Sequence, residues 1–310
     1  MEHETAGDPV SGLKWTHKTM QKLADELARL GILVSANTVG RLLKTMGFSL
    51  RVNRKTIESG IKNPPSPKDR DRQFSYISQM RDSFASAGNP VISVDSKKRE
   101  LVGNFKNDGK SWQCASIAVK DHDFPSDADG VAVLYGIYSP QSNRGNLYVG
   151  TSHDTPAFAV RCIVQWWKQT GIKAWPKADS LLILADCGGS NSSRSRIWKY
   201  RLQNELCNKH NIPVTICHYP PGSSKWNPIE HRLFAEISKN WAGQPLTSYE
   251  KIMNYIRTTK TKTGLRVGAR LIRKQYQTGE RISDKEMKQI SIREHDTFPK
   301  WNYTIDPSKM

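Results

Sequence analysis

The chain has 310 residues, of which 37% are hydrophobic and 25% are charged, as is typical of a folded globular protein. No apolar stretch approaches the ~20 residues that span a bilayer, which argues against a membrane-spanning helix. The 47 basic and 29 acidic residues give a net charge of +18, which favours a nucleic-acid partner over a neutral one, although ribosome-associated and membrane-surface proteins are also basic.

The N-terminal segment carries two helical patterns after a predicted flexible lead over residues 1–12. Apolar residues at helical spacing predict one helix between Thr16 and Gly31 and a second between Ser35 and Gly47. Two short helices joined by a tight turn predict a helix-turn-helix domain over residues 13–60, with an ordinary helical hairpin as the alternative. Residues of the second helix that lie off its apolar stripe and would face DNA are Asn37, Thr38, Arg41 and Lys44. Phe48 to Lys55 alternates and is basic, as a wing or strand would be.

Residues 61–72 are rich in proline and charge and lack periodicity, which predicts a linker and a domain boundary near residue 65. Residues 73–248 are predicted to form the core domain, and residues 249–310 a basic C-terminal extension.

The core domain is predicted to be α/β, with a mixed sheet flanked by helices. The predicted strands are Val91–Asp95, Gln113–Val119, Val131–Tyr138, Asn146–Gly150, Leu181–Asp186 and Val214–His218. The predicted helices are Thr155–Thr170, Ser193–His210 and one that begins at Asn227. Several strands therefore come first, and helices and strands alternate after them.

Three acidic residues occupy comparable places in this pattern. Asp95 and Asp186 each end a short apolar run of the kind that forms buried strands, and chemistry in α/β sheets gathers at such strand ends. Glu230 lies in the first turn of a helix for which Asn227 is a natural N-cap, so a capping box is the alternative for Glu230. Carboxylates at one place suit Mg²⁺ or Mn²⁺, and a pair of such ions supports phosphoryl transfer. The separations, 186 − 95 = 91 and 230 − 186 = 44 residues, mean that only the fold could unite them.

Four blocks of sequence resemble, in order, those of the ISAzo group of bacterial insertion-sequence DDE transposases. They are ISVDSKKRELVGNFKNDGKSW, LLILADCGGSNSSRSRIWK, CHYPPGSSKWNPIEHRLFAEIS and TKTGLRVGARL. The resemblance implies an RNase H-like catalytic core, with Asp95, Asp186 and Glu230 as catalytic triad and as ligands of two Mg²⁺ or Mn²⁺ ions. It further implies double-stranded DNA partners (the element's terminal repeats and the target), a homodimer assembled on DNA, and cleavage followed by strand transfer. Members of this group usually carry a DNA-binding segment ahead of the matching part, so we expect a truncated copy, a fragment of a split gene or a mis-assigned start.

Two alternatives remain open at this point. One is an RNase H-like nuclease without strand transfer. The other is a DNA-binding remnant that occupies the element's ends and represses transposition.

The tail adds a basic run without acidic residues, which would either hold phosphates or form a solvated face. Its candidate DNA contacts are Lys260, Lys262, Arg266 and Arg270. Trp301 to Tyr303 is predicted to be a docking segment.

The five cysteines show no CxxC pair or zinc spacing, and the first residues show no signal-peptide pattern. We therefore expect reduced thiols and a cytoplasmic, nucleoid-associated protein without a membrane partner.

Overall fold

The computed structural model of the chain describes residues 5–7, 14–16, 18–49, 65–223 and 226–308. The chain divides into two compact units, residues 1–56 and 57–310. The predicted wing beyond residue 49 and the first residues of the predicted linker lie outside the described residues. Among the described helices, none is long and apolar enough to cross a membrane.

The first unit contains a short hairpin and a pair of helices. Strands β1 (Thr5–Gly7) and β2 (Lys14–Thr16) pair antiparallel. The prediction of a flexible lead over residues 1–12 is therefore wrong for residues 5–7. Both predicted helices are present, as α1 (Met20–Arg29) and α2 (Ala36–Thr45). Thr19 rather than Thr16 caps α1, since the chain is still extended in β2 at Thr16.

The core of this helix pair is small. It consists of Leu23, Ala24 and Val39, with a few partly buried aliphatic residues packed against them. A role of the pair in DNA binding stays a prediction.

The second unit is built on an eight-stranded mixed sheet in the order β8-β5-β4-β3-β6-β7-β10-β9. Its strands are β3 (Val91–Val102), β4 (Gly130–Ser139), β5 (Arg144–Gly150), β6 (Leu181–Ala185), β7 (Val214–His218), β8 (Arg266–Ile272), β9 (Ile292–Glu294) and β10 (Asn302–Ile305). Its helices are α3 (Pro67–Ser86), α4 (Pro156–Trp166), α5 (Ile172–Ala174), α6 (Arg196–Leu202), α7 (Asn208–His210), α8 (Ala235–Asn240), α9 (Tyr249–Thr258) and α10 (Asp284–Met287). Strands β3, β4 and β5 form an antiparallel meander, and β6 and β7 continue the sheet parallel to β3. The predicted mixed sheet is confirmed.

Helices cover both faces of this sheet. On one face α4 and α6 bury the largest apolar cluster, which includes Trp166 and Trp198. On the other face, α3 packs on β6 and β7 through Ile77, while α8 and α9 pack on β4, β5 and β8. The sheet is thus a buried middle layer, as its long apolar runs require.

Two sequence predictions about loops are wrong. Gln113–Val119 is not a strand but part of the loop 103–129, because β3 and β4 each already have neighbours on both sides. The predicted linker ends earlier than residue 72, because Pro67 begins α3 and the side chain of Ser66 caps that helix.

The prediction of a separate extension over residues 249–310 is also wrong. These residues supply β8 at one edge of the sheet and β9 and β10 at the other, within the same compact unit. The predicted docking segment Trp301 to Tyr303 leads into β10, which begins at Asn302 and pairs with β7.

Candidate active site

The sheet brings Asp95 and Asp186 side by side. The parallel pairing of β3 with β6 ends at Val94 opposite Ala185, so each aspartate is the next residue along its strand. Beyond this point β3 continues to Val102 because it still pairs with β4, so the strand is longer than predicted. Asp95 is buried in that strand, and Asp186 begins the turn after β6.

Glu230 is fixed to the same place by the fully buried side chain of Asn227. Asn227 Oδ1 accepts a hydrogen bond from Ser93 Oγ, and its Nδ2 donates to the Val94 carbonyl at 3.3 Å. The side chain that was predicted to cap the helix, alone or in a capping box, therefore bonds to β3 just before Asp95. The first turn after Ile229 is π-helical, and the Glu230 N–H donates to the Asn227 carbonyl at 3.1 Å.

Gly136 lets this helix approach the sheet. It lies opposite Asp95 in the β3–β4 pair. A Cβ at this position would lie 2.5 Å from Phe234 and 2.8 Å from Ile229. The bare backbone is thus a condition for placing Glu230 beside Asp95.

The three carboxyl groups influence one another's protonation. Burial raises the pKa of Asp95, and the negative charges of Asp186 and Glu230 raise it further, while the Ser96 N–H lowers it. Burial also raises the pKa of Glu230, against the lowering effects of His231, Lys97 and a hydrogen bond with Asp95. The acids are thus close enough for their charges to act on one another.

Asp186 is oriented by the Gly-Gly turn that follows it. Burial raises the pKa of Asp186, and hydrogen bonds from the Asn191 amide and the Gly188 N–H lower it. The Oδ1 of Asp186 is nevertheless buried without a hydrogen-bond partner among the described residues.

A buried polar chain behind this turn was missed in the sequence. The Tyr135 hydroxyl donates to Asn191 Oδ1 at 2.7 Å, and both side chains are buried. In the same turn Ser190 Oγ lies 3.1 Å from Ser96 Oγ, next to Asp95. Asn191 could have been suspected from its place in the turn after Asp186, but nothing local marks Tyr135.

Asp154 is a fourth carboxylate that sequence reasoning missed. Its charge raises the pKa of both Asp95 and Asp186, and its Oδ1 is buried without a partner among the described residues. Its position between β5 and the Thr155 cap of α4 was the available signal.

The donor chemistry of this site fits a hard divalent cation. Every candidate ligand is a carboxylate oxygen, the kind that Mg²⁺ and Mn²⁺ prefer. The side chains as they stand are not drawn together tightly enough to form a ready cluster, since no group of three acidic, histidine or cysteine side chains in the described ranges could already hold an ion. The orphaned Asp186 oxygen is the observation that supports a cation here.

The basic residues of the tail that were predicted to contact DNA lie away from the three acidic residues. Arg266 and Arg270 lie on edge strand β8, which β4 and β5 separate from β3, and Lys260 and Lys262 lie just before it. All four are exposed. Arg144 of β5 is also exposed and is in register with Arg266. We refer to Arg144, Arg266 and Arg270 together as the arginine face.

On α2 the predicted contacts Asn37, Arg41 and Lys44 are exposed. Thr38 is half-buried, and its N–H donates to the Ser35 cap at 3.2 Å. Three of the four predicted contacts are therefore open to solvent, and Thr38 serves the helix start.

The profile of a family described as Rhodopirellula transposase DDE domain matches residues 1–307. No curated protein matches the chain.

Among solved structures, the Mos1 transposase paired-end complex with left transposon end is similar, with 19% identity over 77% of this chain and a TM-score of 0.45. This chain spans 65% of the length of that one. A Mos1 mariner paired-end complex with Mn gives 18% identity, coverage of 77% and 65% of the two chains, and a TM-score of 0.42. The catalytic domain of Mos1 mariner transposase gives 13% identity, coverage of 63% and 82%, and a TM-score of 0.40.

Proposed function

Because the chain belongs to the Rhodopirellula transposase DDE domain family, we propose that it is a transposase that cleaves and joins the DNA of an insertion sequence. The observation that carries this proposal is the meeting of three carboxylates at one strand end. Asp95 and Asp186 follow directly on the last residues of β3 and β6 that pair with each other, and Asn227, three residues before Glu230, is bonded to β3 beside Asp95.

Asp95, Asp186 and Glu230 are the residues that would hold two Mg²⁺ or Mn²⁺ ions. When bound, a pair of such ions activates an attacking hydroxyl and stabilises the leaving oxygen of a phosphodiester. Their positive charge also offsets the repulsion among three close carboxylates.

The remaining residues of the site orient these ligands. Asn191 and Gly188 direct the Asp186 carboxylate, the Ser96 N–H holds Asp95 Oδ1 at 2.8 Å, and Asn227 fixes the helix that carries Glu230. Water attack on the phosphorus would break the bond to the 3′ oxygen and leave a free 3′-hydroxyl. That hydroxyl would then attack a target phosphodiester and displace a new 3′ oxygen.

Exposed basic residues would supply the sequence-independent grip on DNA. In and just before β8 these are Lys260, Lys262, Arg266 and Arg270, and on α2 they are Arg41 and Lys44, with Asn37 and Thr38 beside them. We further propose that two copies assemble on two DNA ends, and that the protein acts in the cytoplasm on the nucleoid.

The test is metal-dependent strand transfer. Purified protein is incubated with a duplex that bears the element's terminal repeat and a free 3′-hydroxyl, with a plasmid target, and with Mg²⁺ or Mn²⁺. We expect joined product from the wild type and none from Asp186→Asn, and product in chelator or from that variant would refute the triad. Cleavage without joining would point to a nuclease, and binding to the repeat without either reaction to a repressor.

A further inference from the structure

Trp226 is unusually exposed for a side chain that belongs to the loop leading into the catalytic helix. It lies four residues before Glu230, and 59% of its surface is accessible. Tryptophan is mostly buried in folded proteins, so an indole this exposed, four residues before Glu230, calls for an explanation.

Hydrogen bonds hold Ser223, which lies before Trp226, and Asn227, which follows it. Arg70 of α3 donates to Ser223 Oγ at 2.7 Å and to the Gly222 carbonyl at 3.3 Å. The Trp226 N–H donates to the Ser223 carbonyl at 2.9 Å, and the next residue is Asn227, which is bonded to β3. The Trp226 N–H and the side chain of the following residue are therefore both anchored to named partners.

Trp226 also ends a row of aromatic rings that starts at Tyr219. The Tyr219 N–H donates to the carbonyl of Ala185, the residue before Asp186, at 2.8 Å. Phe74 of α3 lies 6.1 Å from the Tyr219 ring and 5.9 Å from the Trp226 ring, the latter in an edge-on arrangement. The row thus connects the turn of Asp186 to the indole, and Asn227 returns the chain to β3 beside Asp95.

We propose that Trp226 stacks on an unpaired nucleobase next to the phosphodiester that the carboxylates act on. This inference rests on the proposed function. Aromatic side chains bind exposed base faces with little dependence on sequence, whereas a base inside a duplex has both faces covered by its neighbours. DNA strands that are cut and rejoined offer such bases at their ends, and reactions on a base or its neighbouring backbone commonly begin by opening the stack.

The test compares two duplexes of about 30 base pairs that carry the terminal repeat. One is fully paired, and the other has three mismatched pairs beside the cleavage position. Binding is measured by fluorescence anisotropy in Ca²⁺ for the wild type, Trp226→Phe, Trp226→Leu and Trp226→Ala. Trp112→Ala is the matched control, because Trp112 is fully exposed in the loop 103–129.

We expect the wild type and Trp226→Phe to prefer the mismatched duplex. Trp226→Ala and Trp226→Leu should lose roughly 5- to 150-fold in affinity for it, the range that base-stacking aromatics contribute, with unchanged affinity for the paired duplex. Trp112→Ala should behave as the wild type.

Equal losses on both duplexes, or no loss on either, would overturn stacking by Trp226. If the wild type still performs Mg²⁺-dependent strand transfer in that case, the proposed function stands. A wild type that binds neither duplex would overturn both inferences together.

Discussion

The acidic end of β3 and β6 and the arginine face at the β5–β8 edge belong to the same sheet but are built in opposite ways. Asp95 is buried and oriented by a hydrogen bond from the Ser96 N–H, and Asp186 is half-buried and oriented by hydrogen bonds from Asn191 and Gly188. The arginines Arg144, Arg266 and Arg270 are exposed, and no acidic partner lies within 4 Å of them in the described part of the chain.

This contrast teaches how each region should respond to change. A buried charged group depends on a few short contacts, so removal of one atom is costly. An exposed cation acts through long-range charge that salt screens, so each residue contributes little and the contributions add. The predictions below test this difference, from the most to the least severe change.

Asp186→Asn should abolish DNA cleavage while the protein stays folded. Loss of a metal-bound carboxylate removes several kcal/mol of transition-state stabilisation, roughly 10³-fold or more in rate. Because the amide has the same shape and removes repulsion with Asp95 and Glu230, the metal-free Tm should not fall. Rates and melting curves are compared with Asp123→Asn, an exposed acid in the loop 103–129, which should be neutral. Cleavage by Asp186→Asn at the wild-type rate would exclude this site.

Asn191→Ala should reduce activity about 10- to 100-fold, as is usual when a residue that orients a metal ligand is removed. Tyr135→Phe should produce a smaller loss, because it deletes only the hydroxyl that holds Asn191 Oδ1. The Mg²⁺ concentration at half-maximal rate should rise in both variants, and a direct Mn²⁺ titration should show weaker binding. If both variants titrate as the wild type does, the Tyr135–Asn191 chain is only a packing feature.

Gly136→Ala should destabilise the protein, by about 1–3 kcal/mol for an overpacked core. The new methyl group would meet Phe234 and Ile229, so the helix that carries Glu230 must move. Gly268→Ala is the matched control on edge strand β8. Its Cβ would lie 3.3 Å from the Asn146 side-chain oxygen, and this side chain can shift slightly to accommodate it. Urea unfolding measures both, and equal midpoints would contradict the claimed close packing.

Much of the acidic site could be predicted from sequence because its signals are local. Short apolar runs that end on Asp95 and Asp186 mark buried strands, and Pro228 marks the helix start before Glu230. The role of Asn227 was not predictable from sequence. Its side chain can cap its own helix or bond to β3, and it bonds to β3 only because the helix packs against that strand.

The edges of the sheet could not be predicted for a related reason. Strand β8 largely alternates between exposed and buried residues over its seven positions. Because its exposed positions belong to a run of basic residues, the sequence indicated a charged surface segment and not a strand. Gln113–Val119 has the composition of a strand but no free strand beside it to pair with. Strand formation depends on a partner, and partners are distant in sequence.

Arg270→Ala should have the smallest effect and the clearest salt signature. If Arg270 contacts a phosphate, its removal lowers DNA affinity a few-fold at low salt, and the slope of log K against log salt decreases by about 0.9. Arg144→Ala should act similarly and additively, because the two arginines lie on the same exposed face without a shared partner. Arg281→Ala, an exposed arginine outside this face, is the control. The measurement is the DNA affinity of the wild type and the variants between 50 and 200 mM salt. If the slope is unchanged in the double variant and cleavage is intact, the arginine face is a solvated surface, and DNA must cross the acids from another side.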